Sequence, residues 1–231
     1  TGLIWILLQL KENGLQNLSK NRENRKFVYL ISPNQIKNKD FFINLNLVLK
    51  TKKVSFFQLR LKKETTKKRI SIGKRVKKIC KKNKVKFLIN DDPYLAKKLN
   101  ADGCHLGQKD MSILKARKIL KNKIIGSTCH NSIKLAKKAI DSGVDYLAFG
   151  AFYPTKTKKV KYKANIKILK LAKKITNKPI VAIGGIKINN YKKLLLNKAN
   201  FLAISSYVWN NKQYKPLEAI KKLKWKYTQV K

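Results

Sequence analysis

The chain has 231 residues, with 56 Lys and Arg against 11 Asp and Glu, so its formal net charge is +45. Hydrophobic residues make up 43% and aromatic residues 9%, which does not fit a disordered polyelectrolyte. One domain with one core is expected at this length. The lysines are spread along the chain, which favours a solvated coat over a dedicated nucleic-acid site. Salt-sensitive, non-specific binding to polyanions is still expected.

The N-terminal part of the chain receives no structural assignment. Residues 1–26 form an unassigned segment, and the catalytic domain is predicted over 27–231. The apolar run at 2–10 reads GLIWILLQL, which is too short to span a bilayer, so no membrane segment is predicted. Cys80, Cys104 and Cys129 lack the close spacing of zinc or redox motifs, and they predict free thiols in a reducing cytoplasm.

Eight apolar runs rich in Val, Ile and Phe predict strands. They lie at 27–32, 54–62, 86–91, 102–107, 123–129, 145–150, 179–186 and 200–206. Lysine-rich stretches with helical spacing separate them; in one, Ile168, Leu171 and Ala172 are predicted to share a helix face. Strand–helix alternation repeated eight times predicts a single TIM (β/α)8 barrel, with an open doubly wound sheet as the alternative.

Catalytic groups of such barrels lie at the carboxyl ends of the strands, and polar residues follow the predicted strands here. In the second strand Gln58, Arg60 and Lys62 share one face, which predicts cations at the barrel mouth and an anion site there. The third strand ends in Asn90 and Asp91.

Asp91 and Asp110 come from adjacent strand ends and suit a Mg²⁺ ion that shares its shell with a phosphate. Two solvated loop acids are equally compatible with the spacing. Asp92, directly before Pro93, is interpreted as a helix cap. Asp102 is interpreted as a turn residue.

Later strand ends add hydroxyls, one more cation and glycines. Thr128, at the end of the fifth strand, is a candidate substrate contact. Phosphate contacts are predicted for Thr155, Thr157, Lys158, Gly185 and Ser205. The loops after strands seven and eight are the usual phosphate cradle of the barrel. His130 and His105 are interpreted first as hydrogen-bonding fixtures.

Seven motifs in register resemble the thiamine-phosphate synthase and thiazole tautomerase family. They are QLRLK, LINDD, ADGCHLGQKD, GSTCHN, YLAFGAFYPTKTK, IVAIGGI and ISS, within residues 55–206. The resemblance implies a barrel enzyme that joins 4-amino-5-hydroxymethyl-2-methylpyrimidine diphosphate to a thiazole phosphate and releases pyrophosphate. It also implies Mg²⁺ as the cofactor, a dissociative substitution, and two small-molecule substrates. A homodimer is compatible with it.

The resemblance also implies a role for each matched residue. The pyrimidine diphosphate would be held by Gln58, Arg60, Lys62, Asn90 and Lys158, with Arg60, Lys62 and Lys158 stabilising the leaving group. Mg²⁺ would be bound by Asp91 and Asp110. The thiazole phosphate would be held by Thr155, Thr157, Gly185, Ile204 and Ser205, with Thr128 as a further substrate contact.

Two departures from the family pattern are visible. Thr128 stands where Ser is usual, and the segment NKANF at 197–201 lacks the usual glycine before the last strand, after a helix one residue short. The alternatives are a thiazole-tautomerase-type relative using His130 as proton carrier, an inactive homologue, and a basic nucleic-acid-binding module. The second metal carboxylate and the PTKTK loop, both present, favour the synthase.

Overall fold

The computed structural model describes residues 26–36, 38–155 and 162–224. Its strands are β1 (Val28–Ile31), β2 (Val54–Leu59), β3 (Lys86–Asn90), β4 (Gly103–Leu106), β5 (Ile124–His130), β6 (Tyr146–Gly150), β7 (Ile180–Ile183) and β8 (Phe201–Ile204). Neighbouring strands pair in parallel, and β8 pairs with β1 to close the barrel. The predicted barrel is confirmed, and the open sheet is excluded.

Helices connect successive strands along the described chain. They are α1 (Asp40–Lys50), α2 (Thr66–Lys82), α3 (Pro93–Lys98), α4 (Ile113–Leu120), α5 (Ile133–Asp141), α6 (Lys167–Ile175), α7 (Tyr191–Leu196), α8 (Ser206–Trp209) and α9 (Pro216–Lys222). None of these helices has the length and apolar content needed to cross a membrane. Residues 1–25 lie outside the described part, so the division at residue 26 stays a prediction.

The core has two parts because side chains alternate across each strand. Inside the barrel Tyr29, Phe56, Leu88, Tyr146 and Val181 pack together. The larger part lies between the outer face of the barrel and the helices. The inward positions one step further along β2 and β3 carry polar residues, which is how the fold presents a site at that end.

Polar caps begin several helices, as their sequences indicate. The Asp92 carboxylate accepts a hydrogen bond from the Leu95 backbone N–H at 2.9 Å, and Pro93 occupies the first turn of α3. This confirms the predicted cap. Ser112 and Ser132 cap α4 and α5 in the same way.

The buried face of α6 differs from the prediction. In α6 the buried residues are Ile168, Leu169 and Ala172, whereas Leu171 is 46% exposed. The predicted face was therefore wrong by part of a turn, because both phases fit the sparse apolar residues of this short helix.

Before β8, where the usual glycine is missing, Lys198 takes a left-handed φ of 77°, the conformation that glycine adopts without strain.

Candidate active site

The end of β2 places an amide and a cation at the mouth of the barrel. Gln58 is 2% exposed, and its Nε2 donates to Asn90 Oδ1 of β3 at 2.6 Å. The next inward position along the chain is Arg60, which directly follows the strand. The predicted face of Gln58 and Arg60 is therefore the one that points into the barrel.

Arg60 is held by the loop that follows β1. Its backbone N–H donates to Ser32 Oγ at 2.8 Å, and its Nη1 donates to Asn34 Oδ1. Burial lowers the pKa of the Arg60 guanidinium, and the nearby charge of Asp91 opposes this. Sequence reasoning missed Ser32 and Asn34; their signal was their position at the end of the first apolar run and just beyond it.

Asp91 directly follows β3 and has a left-handed backbone conformation. Its φ is 65°, which is uncommon for a residue other than glycine, and its backbone N–H donates to the His105 carbonyl at 2.8 Å. Lys62 Nζ lies 2.9 Å from Asp91 Oδ2. Burial opposes ionisation of Asp91, but hydrogen bonds with Lys62 and Asp110 outweigh it and lower the pKa of Asp91.

Asp110 meets Asp91 across the β3–β4 boundary. A turn holds it, because the Gly107 backbone N–H donates to Asp110 Oδ2 at 2.7 Å. Burial and the hydrogen-bonded contact with the Asp91 carboxylate raise the pKa of Asp110. The structure therefore brings the two predicted metal ligands together, and like charge makes their joint ionisation costly.

The aspartate pair fits a hard divalent cation. Within the described ranges no group of three or more His, Cys, Asp or Glu side chains is placed to hold a metal. A two-carboxylate site suits Mg²⁺, which keeps water molecules and takes its other oxygens from phosphates. The cation would also neutralise the repulsion that raises the pKa of Asp110.

A hydrogen-bonded network lies beneath the neighbouring strand end, and sequence reasoning missed most of it. His105 Nε2 lies 2.9 Å from Thr128 Oγ1, and His105 Nδ1 lies 2.8 Å from the Tyr146 hydroxyl. The Tyr146 hydroxyl in turn lies 2.8 Å from the Tyr29 hydroxyl. Tyr146 and Tyr29 looked like ordinary apolar strand residues in the sequence.

His130 is the last residue of β5. Its ring lies against Tyr162, with 4.2 Å between the ring centroids. The interpretation of His130 as a fixture suits this contact. Its proposed role as proton carrier belongs to the tautomerase alternative, and no finding tests that role.

The residues predicted to hold a phosphate follow β6, β7 and β8. Gly185 has a φ of 62°, and a Cβ there would lie 2.3 Å from the Pro154 carbonyl oxygen. This glycine thus lets the loop after β6, with half-buried Thr155, pack closely against the end of β7. Thr157 and Lys158 lie outside the described residues.

Ile204 ends β8, and Ser205 follows it directly. Ser205 Oγ donates to the Ser32 carbonyl at 3.2 Å, and α8 begins at the next residue. Ile204 is 1% exposed, with its side chain in the outer core. Any ligand contact of Ile204 would therefore use its backbone.

A family model described as thiamine monophosphate synthase matches residues 28–208, most of the chain. The chain belongs to the thiamine monophosphate synthase family. A thiamine-phosphate synthase of Pelagibacter ubique is 74% identical over 207 residues, covering 90% of this chain and all of that protein. One of Nitrosomonas eutropha is 38% identical over 184 residues, covering 79% of this chain and 86% of that protein.

Solved structures agree with this membership. A thiamine phosphate pyrophosphorylase from Pyrococcus furiosus superimposes with a TM-score of 0.76 at 27% identity, covering 87% of this chain and 94% of that one. A 3-hexulose-6-phosphate synthase superimposes with a TM-score of 0.62 at 15% identity, covering 85% and 98%; this shows the shared barrel alone. The predicted family, fold and enzymatic nature of the chain are confirmed, while the individual site roles stay predictions.

Proposed function

We propose that this chain joins 4-amino-5-hydroxymethyl-2-methylpyrimidine diphosphate to a thiazole phosphate, forming thiamine phosphate and pyrophosphate with Mg²⁺ as cofactor. One observation carries the proposal: the carboxylates of Asp91 and Asp110 meet beside the Lys62 ammonium group. Arg60 lies close to them at the inward-facing position that follows β2. The names of the two relatives, thiamine-phosphate synthase, support the same reaction.

Charge on the leaving group governs the chemistry of this reaction. The bond between the pyrimidine methylene and the diphosphate oxygen breaks, and its electron pair departs with pyrophosphate. Arg60, Lys62 and Lys158 are proposed to stabilise that charge. Bound Mg²⁺ would supply further neutralisation of the pyrophosphate oxygens.

The remaining residues would orient the two substrates. The Gln58–Asn90 pair offers fixed amide groups to the pyrimidine diphosphate, with Thr128 as a further contact. Thr155, Thr157, Gly185, Ile204 and Ser205 are proposed to hold the thiazole phosphate. The thiazole nitrogen then forms the new bond with its lone pair at the pyrimidine methylene carbon.

A protein nucleophile is not needed for this sequence of bonds. Burial raises the pKa of Cys129 to about 12 and also raises the pKa of Cys104, so these two thiols of the outer core stay protonated. The electron-rich aminopyrimidine can share the positive charge left on the methylene carbon. This supports the dissociative substitution.

The first test is a turnover assay with purified protein. With both substrates and Mg²⁺, pyrophosphate release and thiamine phosphate formation are expected together, and EDTA should stop both until excess Mg²⁺ is restored. Turnover that EDTA does not affect would contradict the metal assignment. Metal-independent isomerisation of a carboxythiazole phosphate without condensation would instead favour the tautomerase alternative.

We further propose a cytoplasmic homodimer that has no specific nucleic-acid partner. Cys80, Cys104 and Cys129 are free and buried, which supports a reducing compartment. Light scattering on a size-exclusion column tests the dimer, and a monomer at micromolar concentration would contradict it. Nucleic-acid binding that survives high salt would contradict the absence of a specific site.

A further inference from the structure

The network beneath Thr128 contains one proton more than it has hydrogen bonds. Its four groups, Tyr29, Tyr146, His105 and Thr128, are joined in a line by three contacts of 2.8, 2.8 and 2.9 Å. Three hydroxyls and one neutral imidazole carry four protons. Three bonds use three of them, so the fourth points out of the line, either at one of its two ends or from the hydroxyl of Tyr146, which is 2% exposed and would be a buried donor without an acceptor.

The two ends of the line differ in whether the unused proton can find an acceptor there. Tyr29 is 2% exposed and is enclosed by the rings of Phe56 and Tyr146. Among the described residues the Tyr29 hydroxyl has the Tyr146 hydroxyl as its hydrogen-bond partner. A proton pointing out at this end would be a buried donor without an acceptor, which is costly. Thr128, by contrast, is half-buried at the carboxyl end of β5.

Only one order of donors and acceptors along the line leaves no buried donor unpaired. Tyr29 donates to Tyr146, Tyr146 donates to His105 Nδ1, and the Nε2–H of His105 donates to Thr128 Oγ1. A doubly protonated His105 would not avoid it, because Nδ1–H would then donate to Tyr146 and leave one tyrosine proton unpaired. Burial raises the pKa of both tyrosines, so both keep their protons.

We infer that this network turns the hydroxyl proton of Thr128 toward the substrate, so that Thr128 is a hydrogen-bond donor. The substrate atom it meets is therefore an acceptor, a phosphate oxygen or an aromatic ring nitrogen, and not an amino group. Tyr146 and His105 are positioning residues that act through Thr128. The role of Thr128 at the substrate rests on the proposed function; the proton arrangement does not.

The backbone supports the same fixed orientation. Gln108 Nε2 donates to the carbonyl oxygen of Thr128, which holds the residue from the neighbouring strand end. A Cβ at Gly126 would lie 1.8 Å from Cζ of Tyr146, so glycine leaves the room that the Tyr146 ring occupies. The Tyr146 hydroxyl and the Thr128 hydroxyl meet different ring nitrogens of His105, Nδ1 and Nε2.

The kinetic test compares two matched variants. Tyr146→Phe and Tyr29→Phe each remove one buried hydroxyl and the bond between them, but only Tyr146→Phe removes the donor to His105. Tyr146→Phe is expected to lower kcat/KM about tenfold, because the free energy of one hydrogen bond corresponds to about that factor. Tyr29→Phe is expected to lower kcat/KM clearly less. Equal losses in both variants would indicate a merely structural role and overturn the inference.

A double-mutant cycle then asks whether Tyr146 acts through Thr128. Thr128→Val removes the hydroxyl at nearly constant shape, and adding Tyr146→Phe to it should cost nothing further in kcat/KM. Thr128→Ser should retain the donor and most of the activity. Additive losses of Tyr146→Phe and Thr128→Val would overturn the inference.

A spectroscopic test needs no activity at all. The chain has two histidines, so ¹⁵N-histidine labelling gives a simple spectrum, and His130→Ala assigns it. The proton of His105 is expected on Nε2 in the free protein, and a proton on Nδ1 would overturn the inference. If wild-type protein released no pyrophosphate, the proposed function would fail while this measurement still decided the proton arrangement.

Discussion

At the scale of single residues, Asp110 stands out because its surroundings in the protein disfavour the ionised carboxylate. Burial and the neighbouring Asp91 carboxylate raise its pKa, whereas the pKa of Asp91 is lowered by Lys62 and Asp110 against the effect of burial. The two carboxylates thus play different parts. Asp91 is already paired with a cation, and Asp110 gains most from a divalent ion.

Asp110→Asn should therefore separate stability from activity. Asn can still accept the hydrogen bond from the Gly107 backbone N–H, and it removes the repulsion with Asp91. We expect the variant without Mg²⁺ to melt at or above the wild-type temperature at pH 7, measured by calorimetry. Its turnover should fall at least about 100-fold, the loss typical of removing one preorganised electrostatic group.

The stability difference between Asp110→Asn and wild type should depend on pH, because the pKa of Asp110 is raised in the folded protein. A raised carboxyl pKa means that folding loses stability as the pH rises through the raised value. The advantage of Asp110→Asn should thus be present at pH 7 and vanish below pH 3.8, the ordinary value. Added Mg²⁺ should raise the melting temperature of wild-type protein and not of the variant. A variant less stable than wild type at pH 7 would contradict this account.

At the scale of elements, one arginine ties three segments together at the floor of the barrel. Arg117 on α4 donates to the carbonyl oxygens of Lys123 at 2.6 Å and Gly143 at 2.9 Å. It also lies 2.7 Å from Asp145 Oδ2, and that same oxygen accepts from the Ile125 backbone N–H. These partners precede β5 and β6 or begin them, so they lie at the amino ends of the strands.

Arg117→Ala should destabilise the fold without touching the chemistry. It leaves the carboxylate of Asp145, which is 9% exposed, without its cation, and about 2–4 kcal/mol of unfolding free energy should be lost. Urea denaturation measures this, with Lys118→Ala, an exposed neighbour on the same helix, as the control. The KM and kcat of the folded variant should stay at wild-type values, because these contacts lie at the amino ends of the strands, away from the active-site end of the barrel. A raised KM would contradict that separation.

At the scale of the whole molecule, the charge of +45 is the dominant feature. Eleven acidic residues cannot pair with 56 basic ones, so most cations repel one another across the surface. Such self-repulsion destabilises a compact state and is weakened by salt. The lysine coat therefore costs stability at low ionic strength.

Raising NaCl from about 20 to about 300 mM should raise the melting temperature, because the Debye length falls to below 10 Å over that range. Scanning fluorimetry measures the change, with an uncharged osmolyte at equal osmolarity as the control. A melting temperature that falls with NaCl would show that surface ion pairs outweigh the repulsion.

Much of this architecture follows from local patterns. Short apolar runs, with helical spacing between them, predicted the eight strands, their order and the closed barrel, because such patterns depend on neighbouring residues alone. The inward face of Gln58 and Arg60 and the cap at Asp92 were predicted for the same reason. The phase of α6 was not, since Leu169 and Leu171 are equally apolar and only packing against the barrel chooses between them.

The tertiary structure decided which distant groups meet. Asn34 reaches Arg60 only because β1 and β2 are adjacent and in register. Tyr29 and Tyr146, which are 117 residues apart, bond only because the barrel closes around them. Composition and periodicity assign a side chain to a face, but strand register and closure set its partner, and the pKa of Asp110 and the proton of Thr128 depend on those partners.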